Sequence, residues 1–296
     1  MEIVGGDFGW RSAFSSCGNR TVLNAASAAE VTVLGREALC SRSLLDFMKR
    51  LTSAQSEFVE SVLSLKPLVA AFDCDGTLWS GDAGEGFFSW ELELEQEKRL
   101  VSEEIARWAR SRYADYKAGL VDEDTMCGEM VTMHRGLQEE VVQQAADAYF
   151  AQAIAPNIFL EMRQLVQRLR ASGCDVWAVS STCQWVIRSA MRSFRIPQNR
   201  ILSAEVAVEN GVIGRTISDR LIRVPSGPGK PEAIRSVLKS SPDHSPDCAF
   251  GNAIWDREML AMSKHPFAIN PNPDLKEIAI ANGWTVYQRD TNRSGG

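Results

Sequence analysis

Short apolar runs of strand length alternate with helical patterns along most of this chain. The runs lie at residues 68–72, 174–179, 200–202, 248–250, 267–269 and 284–287. Apolar residues recur with helical spacing at 186–194, and another short helix is predicted at 231–238. Strands that alternate with helices favour a mostly parallel sheet covered on both faces, so we predict an α/β fold.

A long helical region separates the first predicted strand from the second. It runs from residue 87 to about 170 and follows a glycine-rich stretch at 80–86 that we interpret as a flexible hinge. Residues 82–150 hold 16 acidic and 7 basic residues, a net charge of −9 against −6 for the whole chain. These features predict an acidic helical lobe that is separate from the sheet.

The domain boundaries are predicted from the same patterns. We divide the chain into an N-terminal extension, a sheet core and an inserted helical lobe, at residues 1–66, at 67–81 with 155–296, and at 82–154. The extension contains a helix predicted at 41–65, which ends before Pro67. Within the core, Asn210-Gly211 between two apolar runs predicts a β-hairpin at 205–214.

The composition is that of a soluble globular protein, with 45% apolar and 24% charged residues. No apolar run is long enough to span a bilayer and the first residues lack a secretory pattern, so we expect neither a membrane span nor export. The seven cysteines are scattered and odd in number, which favours a reducing compartment, and we expect a cytoplasmic protein. Three widely spaced histidines disfavour a zinc site, and the acidic lobe would repel nucleic acid.

The first candidate for chemistry is the segment after the first strand, Asp73-Cys74-Asp75-Gly76-Thr77. Two carboxylates at a spacing of two share one face of a strand, and beyond the strand end they can converge on one point. Hard oxygen ligands of this kind favour Mg²⁺. One carboxylate could attack phosphorus while the other handles the proton of the leaving group. A strand-end turn with solvated acids is the plain structural alternative.

Further polar residues lie at other strand ends or in loops: Ser180, Lys230, Asn252 and Asp256. The carboxyl ends of parallel strands lie along one edge of a sheet, where sites form. Taken singly, Ser180 is more often a helix cap, Lys230 a solvated lysine and Asp256 an ordinary acid at a helix start. Together with the two aspartates at the same edge, they form a set suited to a phosphoryl group.

The order of these motifs resembles the haloacid dehalogenase superfamily and, within it, the phosphoserine-phosphatase-like branch. The four motifs of that family are matched, in order, by Asp73 to Thr77, by Val176 to Ser180, by Gly229-Lys230-Pro231-Glu232 and by Gly251-Asn252-Ala253-Ile254-Trp255-Asp256. The resemblance covers about residues 67–288. It implies a Rossmann-like parallel-sheet core with a helical cap inserted after the first motif, in agreement with the acidic lobe.

The resemblance also implies a role for the matched residues. Asp73 would be the nucleophile that forms an aspartyl-phosphate. Asp75 would protonate the leaving oxygen and then deprotonate the water that hydrolyses the intermediate. Thr77, Ser180 and the Ser181 backbone N–H would orient or bind the phosphoryl oxygens.

For charge and metal, the resemblance implies that Lys230 neutralises the phosphate and the nucleophile. It places Mg²⁺ on Asp73, the Asp75 carbonyl oxygen, Asn252 and Asp256. Asn252 departs from the family, which usually has aspartate there; an amide oxygen still ligates Mg²⁺ but removes one negative charge. We therefore expect weaker metal affinity without loss of activity.

These motifs favour a Mg²⁺-dependent phosphomonoester hydrolase that acts on a small phosphorylated metabolite. A phosphotransferase or phosphomutase with the same intermediate is an alternative, decided by whether water reaches the aspartyl-phosphate. A metal- or phosphate-binding module with weakened catalysis is another, of which Asn252 would be the first sign. The other motif residues are intact, which argues against this last alternative.

Two acids on the glycine-rich stretch, Asp82 and Glu85, bear on the substrate. Asp82 lies nine residues after Asp73, where the phosphoserine-specific enzymes carry an acid. Carboxylates would repel the phosphoryl group, so any ligand role for them is toward the opposite end of the substrate. That favours an amine or quaternary ammonium, as in phosphoserine, phosphoethanolamine or phosphocholine, with Trp79 or Trp90 as cation–π partners. The plain alternative is that both acids only solvate the hinge.

Overall fold

The structure, a computed structural model of the chain, describes residues 50–95, 99–214, 221–239 and 242–289. Its strands are β1 Val69–Phe72, β2 Asp175–Cys183, β3 Ile201–Val206, β4 Val208–Glu209, β5 Val212–Ile213, β6 Leu221–Arg223, β7 Cys248–Gly251, β8 His265–Ile269 and β9 Thr285–Tyr287. Its α-helices are α1 Ser53–Ser64, α2 Ala83–Glu93, α3 Glu103–Lys117, α4 Glu123–Thr132, α5 Glu139–Tyr149, α6 Leu160–Ala171, α7 Gln184–Phe194, α8 Gly229–Val237, α9 Arg257–Met262 and α10 Pro273–Ala281. A π-helical turn lies at Phe150–Ile154, and 3₁₀ turns lie at Ala155–Asn157, Gln198–Arg200, Pro242–His244 and Ile254–Asp256. None of these described helices has the length and apolar character that a bilayer span requires.

Seven of these strands form one sheet, in the spatial order β6–β3–β2–β1–β7–β8–β9. β1 lies in the middle and pairs in parallel with β2 and with β7. The pairings of β2 with β3, β7 with β8 and β8 with β9 are also parallel, and β6 runs antiparallel to β3. The prediction of an α/β fold with a mostly parallel sheet is confirmed.

Apolar side chains cover both faces of this sheet. On one face Phe72, Phe250 and Phe267 stack, with successive ring centroids 4.1 and 4.8 Å apart, and α1, α6 and α7 pack over them. On the other face Trp177 and Ala249 pack under α8, α9 and α10. Because both faces are buried, the strands read as continuous apolar runs, which is why the sequence pattern located them.

Helices α2–α5 follow β1 and precede β2, where the sequence predicts the acidic insertion. Helices α2–α4 and the segments next to them enclose a smaller apolar cluster, made of Phe88, Leu92, Val101, Ala106, Ala109, Val121, Met126 and Met133. Helix α4 packs against β2 and β3, whereas α5 packs on α7 and contributes Val142 and Ala146 to the main core. The domain boundaries at 82 and 154 stay a prediction.

The start of the described chain differs from the helix predicted at 41–65. Residues 1–49 lie outside the described residues. Helix α1 begins at Ser53 because Thr52 closes its N-terminus. The Thr52 hydroxyl accepts from the Gln55 N–H at 3.3 Å, and the Gln55 side chain accepts from the Thr52 N–H at 2.9 Å. This reciprocal capping box sets where the helix starts.

Strand β2 is longer than predicted. It continues beyond Ser180 to Cys183, and its pairing with β3 is irregular between Val179 and Cys183. Ser180 therefore lies within an irregular part of the strand and not at its end. Strand β6 has no counterpart in the sequence prediction, whereas the Asn210-Gly211 turn is confirmed, with φ angles of 51° and 78° joining β4 to β5.

Most of the stretch interpreted as a hinge is helical. Asp82 caps α2 by accepting from the Glu85 N–H at 2.8 Å. A Cβ atom at Gly84 would lie 2.9 Å from Thr182 Oγ1, and one at Gly86 would lie 2.0 Å from the Tyr149 hydroxyl oxygen. These glycines allow α2 to approach the core closely, so the interpretation of the stretch as a flexible hinge was wrong at these positions.

Candidate active site

A cavity of about 950 Å³ lies between the carboxyl ends of the strands and helices α2–α4. Nine residues singled out from the sequence line it: Asp73, Asp75, Asp82, Glu85, Ser180, Ser181, Lys230, Asn252 and Asp256. Thr77, the tenth, is fully buried and contacts Asp73 without lining the cavity. The fold thus brings residues from separate segments of the chain to one place, as the parallel-sheet prediction requires.

Asp73 is held directly after β1. Its N–H donates to the Phe250 carbonyl oxygen at 2.9 Å, which extends the pairing of β1 with β7 by one residue. Its carboxylate accepts from Lys230 Nζ at 2.7 Å on one oxygen and from the Thr77 hydroxyl at 2.9 Å on the other. Burial and the charge of Asp256 raise the pKa of Asp73 to about 7, against the attraction of Lys230. The carboxylate is therefore fixed in orientation at the cavity wall.

Lys230 lies in the first turn of α8 and is 3% exposed. Its ammonium bridges Asp73 at 2.7 Å and Asp256 at 2.5 Å. Although burial opposes its charge, the carboxylates of Asp256 and Asp73 raise the pKa of Lys230 above its ordinary value. One buried cation is thus shared by two carboxylates, and it stays charged at neutral pH.

Asp256 is held by the backbone of its own loop. Its second oxygen accepts from the N–H groups of Asn252 at 2.8 Å and Ala253 at 3.0 Å. A Cβ atom at Gly251 would lie 2.5 Å from the Asp256 Cβ atom, so this close approach needs glycine. Glycine at position 251 therefore allows the loop to fold back against Asp256.

Asp75 is held by three donors at 2.7 Å each: the Trp79 indole N–H, the Ala83 N–H and the Thr182 hydroxyl. Burial, with the charges of Asp82 and Asp73, raises the pKa of Asp75 to about 7 despite the bonds from Thr182 and Ala83. A carboxyl group with a pKa near neutrality can both give and take a proton. The sequence signals gave no hint of Thr182, which lies 107 residues from Asp75.

Ser180 and Ser181 lie beside these aspartates, at the irregular part of β2. Ser180 is 1% exposed, and its hydroxyl oxygen accepts from the Thr182 N–H at 3.1 Å. This bond orders the irregular segment of β2 that carries the Thr182 hydroxyl to Asp75. Ser181 is half-buried and lines the cavity. Binding of a phosphoryl oxygen by the Ser181 backbone N–H stays a prediction.

Asn252 lies against the first motif. A Cβ atom at Gly76 would lie 1.9 Å from Asn252 Nδ2, and Gly76 has a φ angle of +73°, so both the contact and the backbone conformation require glycine. Among the described residues, no cluster of three or more His, Cys, Asp or Glu side chains is arranged to hold a metal ion. A metal here would draw on the carboxylates of Asp73 and Asp256, on the Asn252 amide oxygen, on the Asp75 carbonyl oxygen and on water, a hard oxygen set.

The two acids of the predicted hinge line the cavity, and both have partners within the protein. Asp82 is the N-cap of α2, and Glu85 Oε2 lies 3.1 Å from Lys117 Nζ. Two further acids of the inserted helices, Glu91 and Glu123, line the same cavity. Glu91 is fully buried and lies 2.8 Å from a ring nitrogen of His134. The cavity wall formed by the inserted helices is therefore acidic.

The tryptophans expected as cation–π partners do not line the cavity. Trp79 is 1% exposed and donates its indole N–H to Asp75. Trp90 lies against the rings of Phe87 and Tyr149. That prediction was wrong. The aromatic residues that line the cavity are Phe87, Phe88, Tyr113, Tyr116, Phe159 and Trp255.

Comparison with known proteins places this geometry in context. The family model of haloacid dehalogenase-like hydrolases matches residues 70–261. A histidinol-phosphatase of Neisseria meningitidis serogroup C is 24% identical over 223 residues, which are 74% of this chain and 97% of that protein. A probable phosphatase of Mycobacterium tuberculosis is 24% identical over 164 residues, 55% of each chain.

Solved structures show the same fold. A Bordetella pertussis Tohama I protein of unknown function superimposes with a TM-score of 0.59 at 20% identity, over 74% of this chain and 96% of that one. A probable phosphoserine phosphatase of Vibrio cholerae superimposes with a TM-score of 0.53 at 15% identity, over 74% of this chain and 59% of that one. The resemblance to the fold of the phosphoserine-phosphatase-like branch is confirmed.

Proposed function

The chain belongs to the haloacid dehalogenase-like hydrolase family and is a phosphatase of that family, and we propose that it hydrolyses a small phosphomonoester with Mg²⁺ through an aspartyl-phosphate on Asp73. The observation that carries the proposal is the setting of the Asp73 carboxylate. It is fixed by Lys230 and Thr77 at the wall of a cavity large enough for a metabolite. A nucleophile needs this kind of fixed orientation to attack in line.

In the first step, an oxygen of Asp73 attacks the phosphorus atom of the ester. The bond between phosphorus and the ester oxygen breaks, its electron pair goes to that oxygen, and Asp75 gives the oxygen a proton to release an alcohol. The phosphoryl group is then bonded to Asp73. Lys230, whose ammonium already contacts Asp73, offsets the negative charge that gathers on the phosphoryl oxygens.

In the second step, the Asp75 carboxylate takes a proton from water. The water oxygen attacks phosphorus, the bond to Asp73 breaks with its electron pair returning to the carboxylate, and inorganic phosphate leaves. Asp75 is protonated again, as it was at the start. The Thr182 hydroxyl and the Ala83 N–H keep the Asp75 carboxyl group in one place through both steps.

The oxygen atoms around Asn252 are of the chemical type that binds magnesium. We propose that Asp73, the Asp75 carbonyl oxygen, Asn252 and Asp256 hold it, with water completing the shell. When bound, Mg²⁺ neutralises phosphoryl charge and helps to orient the ester for attack. The Asn252 amide brings one negative charge fewer than an aspartate would, so the affinity for Mg²⁺ is lowered while the ligand atom is kept.

Replacing Asn252 by Asp should lower the half-saturating Mg²⁺ concentration by roughly tenfold. The added carboxylate stands beside Asp73 and Asp256, where the proposed ion is attracted to it. The measurement is a Mg²⁺ titration of activity. Asn272→Asp is the matched control, because Asn272 also lines the cavity but caps α10 by accepting from the Leu275 N–H at 2.9 Å. An unchanged or higher Mg²⁺ requirement in Asn252→Asp would remove Asn252 from the metal site.

The acidic wall supports a substrate with a cationic group. Asp82, Glu85, Glu91 and Glu123 line the cavity on the side of the inserted helices. An ester held with its phosphate at Asp73 would direct its other end toward that wall. We propose phosphoserine, phosphoethanolamine and phosphocholine as substrates of this class. Histidinol phosphate, the substrate that the name of the Neisseria relative implies, also carries an amine.

Replacing Asp82 by Asn should raise KM for phosphoethanolamine by about twofold to fivefold, and should raise KM for p-nitrophenyl phosphate far less. Asparagine caps helices as well as aspartate does, so α2 is kept and only the charge is lost. Asp122→Asn is the control, since Asp122 caps α4 in the same way, accepting from the Thr125 N–H at 2.8 Å, but does not line the cavity. Equal changes in KM for the two esters would count against a substrate role for Asp82.

Release of inorganic phosphate tests the proposed reaction. Purified protein should hydrolyse p-nitrophenyl phosphate with Mg²⁺ and stop when EDTA is added. Adding an acceptor alcohol separates hydrolysis from phosphotransfer, because a transferase would place the phosphoryl group on the alcohol at the expense of inorganic phosphate. Binding of phosphate with no turnover of any ester would contradict the proposal and favour a binding module.

A further inference from the structure

The ammonium group of Lys117 sits in a small cage of acid and aromatic side chains. We propose that this cage is the subsite for the cationic group of the substrate, and that the substrate must displace Lys117 to occupy it. The inference rests on the proposed function for the identity of the substrate, but not for the existence of the cage.

The cage is defined by three side chains around Lys117 Nζ. Glu85 Oε2 lies 3.1 Å away, and the ring centroids of Tyr113 and Tyr116 lie 5.0 and 5.7 Å away. Both ring distances are within the range of cation–π attraction. A carboxylate with two aromatic faces is the set that proteins use to hold an amine or a quaternary ammonium ligand. The ammonium group of Lys117 therefore occupies the position that the cationic group of the substrate would take.

The cage belongs to the same cavity as the proposed nucleophile. Glu85, Tyr113, Tyr116 and Lys117 all line the cavity that Asp73 lines. They come from helices α2 and α3, which carry the opposite wall from the strand ends. A phosphomonoester with its phosphate at Asp73 and a cationic group at its other end would span these two walls.

The basic side chains that line the cavity have different partners. Among the described residues, the lysines and arginines at its wall are Lys117, Lys230 and Arg289. Lys230 is bound between Asp73 and Asp256, and Arg289 donates to Glu161. Of these three described residues, Lys117 is therefore the one that pairs with an acid of the inserted helices. A cationic group of the substrate could pair with that acid in its place.

Lys117 is placed so that it can leave. It is the last residue of α3, its side chain is 51% exposed, and Gly119 follows with a φ angle of +74°. A flexible four-carbon stem can carry the ammonium out to water, where its hydration compensates for the lost contacts. At the C-terminus of a helix the charge remains favourable after release, because the helix dipole attracts cations there.

If Lys117 fills the cage for part of the time, a cationic ligand binds only when the cage is empty. Its apparent association constant is then the intrinsic constant multiplied by the fraction of time that the cage is empty. Replacing Lys117 by Met keeps much of the stem and removes the competitor. We expect Lys117→Met to tighten the binding of phosphoethanolamine about threefold to tenfold, and to change the binding of inorganic phosphate much less. Glu85→Gln should shift phosphoethanolamine binding in the opposite direction, because it removes the anion of the cage.

The experiment is isothermal titration of phosphoethanolamine and of inorganic phosphate, each into Asp73→Asn and into the double variant Asp73→Asn with Lys117→Met. The Asp73→Asn background prevents turnover, so binding is measured whether or not the proposed hydrolysis occurs in the wild-type protein. Lys276→Met, at an exposed lysine of α10 outside the cavity, is the control. Tighter binding of phosphoethanolamine alone supports the proposal. Unchanged binding, or weaker binding of both ligands together, overturns it and makes Lys117 a structural tie between α2 and α3.

Discussion

Replacing Asp73 by Asn should lower phosphomonoester turnover by more than about a thousandfold without unfolding the protein. The amide matches the carboxylate in shape but cannot attack phosphorus, so the covalent step is lost. The Lys230 ammonium keeps Asp256 as its counterion, which leaves one cation paired with one buried anion. The measurement is kcat for p-nitrophenyl phosphate together with the thermal unfolding midpoint.

The control for this change is Asp274→Asn, an exposed aspartate in the first turn of α10 that does not line the cavity. It should keep both the activity and the unfolding midpoint of the wild-type protein. Appreciable turnover by Asp73→Asn, with the native fold retained, would mean that another group attacks phosphorus. An unfolded Asp73→Asn protein would show that the carboxylate is needed for the fold, against our account of the remaining ion pair.

Replacing Lys230 by Met should affect both stability and turnover. It leaves the buried carboxylates of Asp73 and Asp256 without their shared cation, and removing one partner of a buried ion pair costs about 3–5 kcal/mol of unfolding free energy. Loss of the positive charge at the phosphoryl group should lower kcat about a hundredfold or more. The measurements are urea unfolding at neutral pH and kcat with saturating Mg²⁺.

Lys264→Met is the matched control for Lys230→Met. Lys264 also pairs with an aspartate, Asp247, at 2.7 Å, but its side chain is 58% exposed. An exposed pair of this kind contributes about 0–1 kcal/mol. If Lys230→Met were as stable as Lys264→Met, the two buried carboxylates could not both depend on Lys230 for their charge.

The fold and most of the candidate site could be predicted because both sequence signals are local. These signals are the apolar runs and the polar residues beside them. Strands buried on both faces are apolar throughout, so β1, β2 and β7 are visible as runs. Polar residues just after such runs meet at one edge of a parallel sheet, and this rule predicts that Asp73, after β1, and Asn252, after β7, lie close together. Both statements need only the order of residues along the chain.

What the sequence did not predict depends on contacts between distant segments. The hydrogen bond from Thr182 to Asp75 joins residues 107 positions apart, and the pairing of Glu85 with Lys117 joins two helices of the insertion. No periodicity or motif marks such contacts. Trp79 was misjudged for a different reason: its indole N–H donates to Asp75, only four residues away, and its ring is buried.

The glycines of the predicted hinge show a second limit. Composition alone does not distinguish a glycine that supplies flexibility from one that allows a close contact. Gly84 and Gly86 lie in helix α2, where a side chain would strike Thr182 or Tyr149. Only the positions of these partners reveal which of the two physical reasons applies.

The central claim, that a phosphoryl group is carried by Asp73, is tested most directly by trapping it. The protein is mixed with a radiolabelled phosphomonoester and Mg²⁺, quenched in acid within the first turnovers, digested, and its labelled peptides are identified by mass spectrometry. Our account predicts label on the peptide that contains Asp73, and none in the Asp73→Asn variant treated in the same way. Turnover with label on a different residue, or with no labelled peptide when hydrolysis of the intermediate is made rate-limiting, would contradict it.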